Sequence, residues 1–477
     1  MRDPEDGEKP PPSGPDHSGR SRLRIDRRAL IAAAATAVAG EQRLSTGLWR
    51  SRRSAELVKV GKKRYRSFVT YDRALALVVD DPLSDVESEI LFTARVTPED
   101  RLELERWGQV TRFAYDPVPV WPAGPRYGDD RSWSRDTRVT VDAFFQLLSE
   151  HFAFVAERGV DWTALRAGCD AALERDGPSR ESLFHALAGV LGALDDSHGR
   201  LEGGKWSAES RATAPRAVQV WRTTGGRASE GDYWDGFIDD GAKHVRRRVL
   251  AGAGRSAADD GLFWGRLATG AGYVALMRCE GFSSDESGRG DVATVEAALE
   301  RALGELSDAR GMVVDLRFNN GGWDRVALAL AGRFADSATP AFTKHAMRWG
   351  AAVEPQAVAT IPAASRRHTG PVAVLTCDAT LSAGEVAVLA LRALPNVRTF
   401  GWPTYGALSD ELPYRLPNGW EGTISNEVYT AADGQVYENR GVPPAQVAAE
   451  LSSSDFWSGF DAPLRNAEVW LASGGAG

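Results

Sequence analysis

From Gly272 onward the chain alternates short, continuously apolar runs with amphipathic ones, and this alternation restricts the fold more than any other feature. Tyr273-Val274-Ala275-Leu276-Met277, Gly311 to Leu316, Pro371 to Thr376 and Val397 to Phe400 read as strands. Val292 to Leu306, Asp324 to Phe334 and Gly384 to Leu394 read as helices, the last closed by Pro395-Asn396. A strand that is apolar on both sides must be covered on both faces, so the fold class is α/β with a mostly parallel sheet. In such sheets reaction sites collect beyond the carboxyl ends of the strands. Two strand-turn-helix junctions stand there. Asp315-Leu316-Arg317-Phe318-Asn319-Asn320-Gly321-Gly322 offers backbone amides that no side chain obstructs, and Leu381-Ser382-Ala383-Gly384-Glu385 sets a hydroxyl at a helix start. A nucleophile facing amide donors is the layout of acyl transfer.

The remainder of the chain divides by its periodicity. Residues 1–40 form a leader, 41–116 a small β domain built on runs such as Ala55 to Val60 and Arg64 to Tyr71, and 117–137 a linker rich in Pro, Gly, Asp and Trp. From Arg138 the period becomes helical, with Val141, Phe144, Phe145, Leu148 and then Leu183, Leu187, Val190, Leu191, Leu194, which gives a helical subdomain over 138–201. Residues 202–271 show no clear period and are an irregular connecting segment; 272–460 is the α/β core and 461–477 a tail. With 477 residues, 43% of them apolar and 26% charged, the chain has material for more than one core. A net charge of -8 favours neither nucleic acid nor an anionic membrane. The three cysteines, Cys169, Cys279 and Cys377, have no close Cys or His partner and are expected to pack as small apolar residues, with neither disulfide nor zinc site.

Within the leader, Arg22, Arg24, Arg27 and Arg28 precede an uncharged run from Ala29 to Gly40. This reads as an export signal, similar to the twin-arginine kind, and implies a periplasmic or extracellular protein; if the run is instead a buried or interfacial helix, the protein is cytoplasmic. It is too short to span a bilayer, which needs about twenty residues, so no stable membrane span is expected.

Ser382 taken alone has a plain structural reading, because Ser382 followed three residues later by Glu385 is a capping box before an apolar helix. His198, one of only seven histidines, closes a helical stretch in the polar cluster Asp195-Asp196-Ser197-His198 and serves equally well as a helix-end cation. Asp195 and Asp196 read as solvated charges, Asp315 and Arg317 as organisers of a strand end, and Glu438 as a loop carboxylate pairing with Arg440.

Taken together, Asp195-Asp196-Ser197-His198, Asp315 to Gly322, Leu381 to Glu385 and Tyr437-Glu438-Asn439-Arg440-Gly441-Val442-Pro443-Pro444 resemble, in this order, the serine peptidase family of the C-terminal processing peptidases and the tricorn core protease. The resemblance covers roughly residues 138–450. It implies a crotonase-like (ClpP/crotonase) core and a serine endopeptidase acting on extended or unfolded polypeptides, without metal or organic cofactor. In the C-terminal processing branch a lysine follows the nucleophile in a Thr-Phe-Gly-Lys-like turn; the corresponding stretch here is Thr404-Tyr405-Gly406-Ala407. The resemblance therefore shifts to the tricorn-like Ser-His-Ser-Glu branch. It implies Ser382 as nucleophile, His198 as base, Ser197 and Glu438 as the supporting pair, and the amides of Ala383 and of Gly321 or Gly322 as the oxyanion hole. No inserted PDZ module is recognisable in 202–265, and Asn320 and Ala445 depart from residues the family often has. A peptide- or ligand-binding relative without catalysis, or a crotonase-like acyl-CoA enzyme, are the alternatives. The sequence leaves the oligomeric state open.

Overall fold

The computed structural model describes residues 46–475 apart from 72–73, 90, 122–135, 212, 229–232 and 285–286. The leader and most of the expected linker therefore lie outside the described residues. A seven-stranded antiparallel sheet comes first. Its members run from Gly47–Ser51 to Phe113–Pro117, and Gly47–Ser51 pairs with both Glu56–Val60 and Phe113–Pro117. One face buries Trp49, Val58, Tyr65, Leu102, Leu104 and Tyr115, the alternate residues of these strands.

The central sheet also has seven strands: Arg255–Ala257, Leu262–Arg266, Gly272–Leu276, Met312–Asp315, Val372–Thr376, Val397–Gly401 and Gln446–Val447, adjacent in space as in sequence. The first two pair antiparallel, and from Gly272–Leu276 onward every pair is parallel. Gly272–Leu276, Met312–Asp315 and Val372–Thr376 are buried at every residue, which is why they read as unbroken apolar runs. One face is covered by the helices Arg289–Glu305, Asp324–Gly332 and Ala383–Arg392. The other is covered by Arg216–Thr223, Tyr233–His244 and the C-terminal Ala462–Ala472.

The sheet thus reaches beyond the stretch that periodicity marks out. Arg255–Arg266 adds two strands ahead of Gly272, and the expected tail carries a helix seated on Val372–Thr376 and Val397–Gly401. Ala462–Ala472 is anchored at its start by Asp461, which accepts from Arg317 (2.8 and 2.9 Å) and contacts His244 (3.0 Å), while Arg317 also grips Asp315. Asp315 and Arg317 do organise the strand end, through a buried network that ties it to the C-terminal helix.

The helices Thr137–His151, Trp162–Asp176 and Arg180–Ala193 pack on a four-stranded sheet ordered Glu411–Arg415, Glu421–Ser425, Arg200–Gly203, Trp206–Glu209. Its middle pairing, Thr423 against Arg200, brings the chain just after His198 onto a strand that follows the serine-bearing helix in sequence. A three-stranded sheet joins Thr339–Arg348 to Ala351–Ile361 and Glu427–Ala431. The three cysteines are free and buried.

Candidate active site

Ser382 sits on the sharp turn between strand Val372–Thr376 and helix Ala383–Arg392, with φ 54° and ψ -125°. A non-glycine residue with positive φ is strained, and such strain concentrates where geometry serves chemistry. The Glu385 carboxylate reaches back to the Ser382 amide (3.2 Å), so the glutamate half of the capping box is formed. The Glu385 amide donates at 2.8 Å to the Ser382 carbonyl oxygen.

The glycine turn stands directly against this serine. A Cβ on Gly321 (φ 100°) would lie 2.6 Å from Ser382 Cβ and 3.2 Å from its Oγ, so only glycine lets the two junctions approach. The Gly321 amide is not free: it donates to Asn319 Oδ1 at 2.9 Å. Asn319 is fully buried; its Nδ2 donates to the Leu276 carbonyl at 3.0 Å and its own carbonyl oxygen accepts from Leu381 at 3.0 Å. It therefore spans the adjoining strand, the glycine turn and the serine turn. Among the described residues the amides of Gly322 and Ala383 donate to no protein acceptor; that of Ala383, first in its helix, has no intrahelical partner.

His198 lies in the turn between helix Arg180–Ala193 and strand Arg200–Gly203 and is buried. Asp196, expected at the surface, is 1% exposed: its carboxylate accepts from the His198 amide (3.1 Å) and from the Ser425 amide and hydroxyl (2.9 and 2.5 Å). Those bonds, with Thr423 Oγ1 donating to the His198 carbonyl at 2.6 Å, pin the histidine turn to strand Glu421–Ser425. Asp195 is the solvated member of the pair and meets Arg211 at 3.1 Å. Burial lowers the His198 pKa to about 4, opposed by Asp196, so the ring rests neutral, and among the described residues its Nδ1 has no hydrogen-bond partner.

Ser197 Oγ donates to Glu438 Oε1 at 2.8 Å across 241 residues of sequence. The other Glu438 oxygen accepts from the amides of Leu408 (2.7 Å) and Ser409 (2.9 Å). Glu438 does not pair with Arg440, whose guanidinium instead donates to the Val436 carbonyl. The same loop meets Glu385 from its other side: the amides of Gly406 (2.7 Å) and Ala407 (2.6 Å) and the Thr404 hydroxyl (2.5 Å) donate to that carboxylate. Burial raises Glu385 to about 7 and Glu438 to about 8, with the nearby Glu385 charge adding to the latter.

One short loop, 404–409, therefore receives a carboxylate from the serine-bearing helix on one side and the carboxylate bonded to the histidine turn on the other. His198 and Ser382 are not hydrogen-bonded to each other. Sequence reasoning missed Asn319 and Asp196 as site builders and saw in Glu385 only a cap; each had a signal, since a polar residue beside a glycine turn or a short polar cluster after an apolar helix needs partners when buried. Among the described residues no group of three or more His, Cys, Asp or Glu is arranged to hold a metal ion.

Residues 271–447 match the family model described as peptidase family S41. The chain carries an S41 peptidase domain. That domain spans the central sheet from Gly272 and takes in Ser382, Gly322 and Glu438, while His198 and Ser197 precede it. The carboxy-terminal processing protease CtpA of Bacillus subtilis (strain 168) is 29% identical over 150 residues, which is 31% of this chain and 30% of that protein's length. The crystal structure of a candidate peptidase from Parabacteroides merdae ATCC 43184 superposes with a TM-score of 0.55 at 21% identity, covering 70% of this chain and 96% of that one. That likeness speaks for a shared α/β fold around the S41 domain.

Proposed function

We propose that the chain is a serine endopeptidase of the Ser-His-Ser-Glu type, cleaving extended or unfolded polypeptides through an acyl-enzyme on a crotonase-like core. The observation that carries this reading is the Ser197–Glu438 hydrogen bond, 2.8 Å long, because it joins the histidine turn to the loop that Glu385 fastens to the serine turn. In this mechanism Ser382 Oγ attacks the scissile carbonyl while His198 takes its proton, then returns it to the leaving amine. A neutral, buried imidazole is ready to accept. As it becomes cationic, Glu438 balances the charge through the Ser197 hydroxyl. The oxyanion is bound by the two unengaged amides, those of Gly322 and Ala383; Gly321 serves instead by letting the turns approach. Each donor of this kind is worth about 3 kcal/mol in the transition state. Substrate closes the remaining distance between imidazole and hydroxyl, since catalytic hydrogen bonds commonly tighten only in the complex.

The deciding experiment compares wild type with Ser382→Ala on an unfolded protein substrate and with a fluorophosphonate probe. Wild type should cleave and become covalently labelled at Ser382, and the variant should do neither. Equal cleavage by both would remove Ser382 from the mechanism.

We also read Met1 to Gly40 as an export leader; N-terminal sequencing of protein recovered outside the cytoplasm should find it removed. Among the described residues no helix is long and apolar enough to cross a membrane.

A further inference from the structure

The N-terminal β domain lies outside the S41 segment, yet its loop 107–112 touches both halves of the catalytic apparatus. On one side, Gly108 packs on the indole of Trp323, the residue after Gly322: a Cβ there would stand 2.2 Å from Trp323 Cε3. The Arg325 amide donates to the Gly108 carbonyl (3.0 Å), and its side chain donates to the Gln109 carbonyl (2.8 Å) and to Glu105 (2.9 Å). The turn that carries the oxyanion amide thus leads straight into residues held by this loop.

On the other side, Thr111, 2% exposed, places its hydroxyl 3.0 Å from Asp410 and 3.1 Å from Glu427. Those carboxylates and Asp324 surround the buried Lys344 ammonium at 2.8, 3.0 and 3.0 Å, with the Tyr429 hydroxyl at 2.6 Å. Arg53 of the β domain lies 2.9 Å from the second Glu427 oxygen. Two cations therefore face three carboxylates, and hydroxyl donors must supply what charge does not. The β domain contributes one of the cations and one of the hydroxyls. Asp410 adjoins Ser409, whose amide holds Glu438; the Glu427 amide donates to Ser409 Oγ at 2.9 Å.

We propose that loop 107–112 is a positioning element of the peptidase site, with Thr111 fixing the Asp410–Ser409 corner that holds Glu438 while Gly108 and Gln109 fix the Gly322–Trp323 turn. This inference rests on the peptidase reading. Thr111 touches no reacting atom and acts through Ser409 and Glu438. Undocking the loop leaves Asp410 and Glu427 short of donors and in mutual repulsion, which displaces the Ser409 amide, and the loss falls on turnover rather than on substrate binding.

The test uses the full chain. Thr111→Val should lower kcat at least tenfold with KM within twofold of wild type and slow fluorophosphonate labelling in parallel, and Thr111→Ser should restore both to within twofold. Arg325→Met, which releases Gln109 and Glu105, should also lower kcat and slow labelling, and it becomes the deciding variant if Thr111→Val does not fold. Ser67→Ala breaks a 2.7 Å hydrogen bond to Glu56 inside the same β domain without touching loop 107–112 and should leave kcat unchanged. An active wild type with folded variants that keep its kcat, or a Ser67→Ala loss equal to that of Thr111→Val, overturns the positioning role alone. A wild type that neither cleaves nor labels overturns the peptidase reading and this inference with it.

Discussion

Glu438→Gln separates what Glu438 contributes to catalysis from what it costs in stability, and the two effects have opposite signs. Burial raises this carboxyl from 4.5 to about 8, with the Glu385 charge pushing the same way and the Ser197 hydroxyl and Ser409 amide pulling back. The folded pKa lies above the unfolded one. Between about pH 4.5 and 8 the folded chain keeps a proton that the unfolded chain has released, so stability falls as pH rises through that window. One pKa unit corresponds to about 1.4 kcal/mol, so the slope approaches about 1.4 kcal/mol per pH unit and the whole window amounts to about 5 kcal/mol. Glutamine keeps the shape: its oxygen can accept from Leu408 and Ser409, its amide can donate to Ser197, and it cannot ionise.

Denaturant unfolding of both proteins between pH 5 and 8.5, followed by tryptophan fluorescence, should therefore give diverging curves. The variant gains on wild type by a few kcal/mol from the acid to the alkaline end. Activity goes the other way. With no carboxylate to balance the imidazolium, kcat falls by about 10²- to 10⁴-fold. Wild-type activity climbs through about pH 8 as Glu438 ionises, and the variant lacks that limb. Parallel stability curves would mean that water reaches Glu438, and wild-type turnover in the variant would remove it from the mechanism.

Other perturbations test the scaffold. Gly441→Ala should abolish activity and destabilise the fold by more than about 2 kcal/mol in thermal unfolding, since Gly441 has φ 70° and its Cβ would stand 1.9 Å from the Thr404 carbonyl oxygen. Asn319→Ala frees the Gly321 amide and strips the Leu276 carbonyl of its donor; it should cost about 1–3 kcal/mol and lower kcat with little change in KM, and unchanged kinetics would deny Asn319 its part in setting the turn. Asp461→Asn weakens the buried pairing of Arg317 and should cost about 3–5 kcal/mol in denaturant unfolding. The Asp461 carboxyl is held well below its usual range by Arg317 and by His244, against the effect of burial, so the contribution it makes at neutral pH is lost as pH falls through that depressed value; an Asn variant as stable as wild type would refute the anchoring role.

The central strands were legible because burial on both faces leaves an uninterrupted apolar run, and the serine and glycine turns because each carries its chemistry within a few residues. The helices Arg216–Thr223 and Tyr233–His244 were not. Each buries only a narrow stripe, Ala217, Val218 and Trp221 in one and Gly236, Phe237, Gly241 and His244 in the other, within a stretch rich in Arg, Gly and Asp that masks the period. Thr111 gave no signal at all, because its partners lie 299 and 316 residues away and a lone threonine in a β domain has no pattern to betray it.

Loop 404–409 shows both the reach of the sequence and its limit. The resemblance places Ala407 where the C-terminal processing branch has its lysine. Ala407 is 1% exposed, and what it gives the loop is its backbone amide, donated to Glu385 at 2.6 Å. An ammonium at this position would enter a buried corner already occupied by Glu385 and Glu438, where it would lower both carboxyl pKa values and compete with Gly406, Ala407 and Leu408 as their donor. The loop is built to bind two carboxylates through its amides. In the proposed mechanism Glu438 serves the histidine turn through Ser197, and Glu385 holds the serine turn.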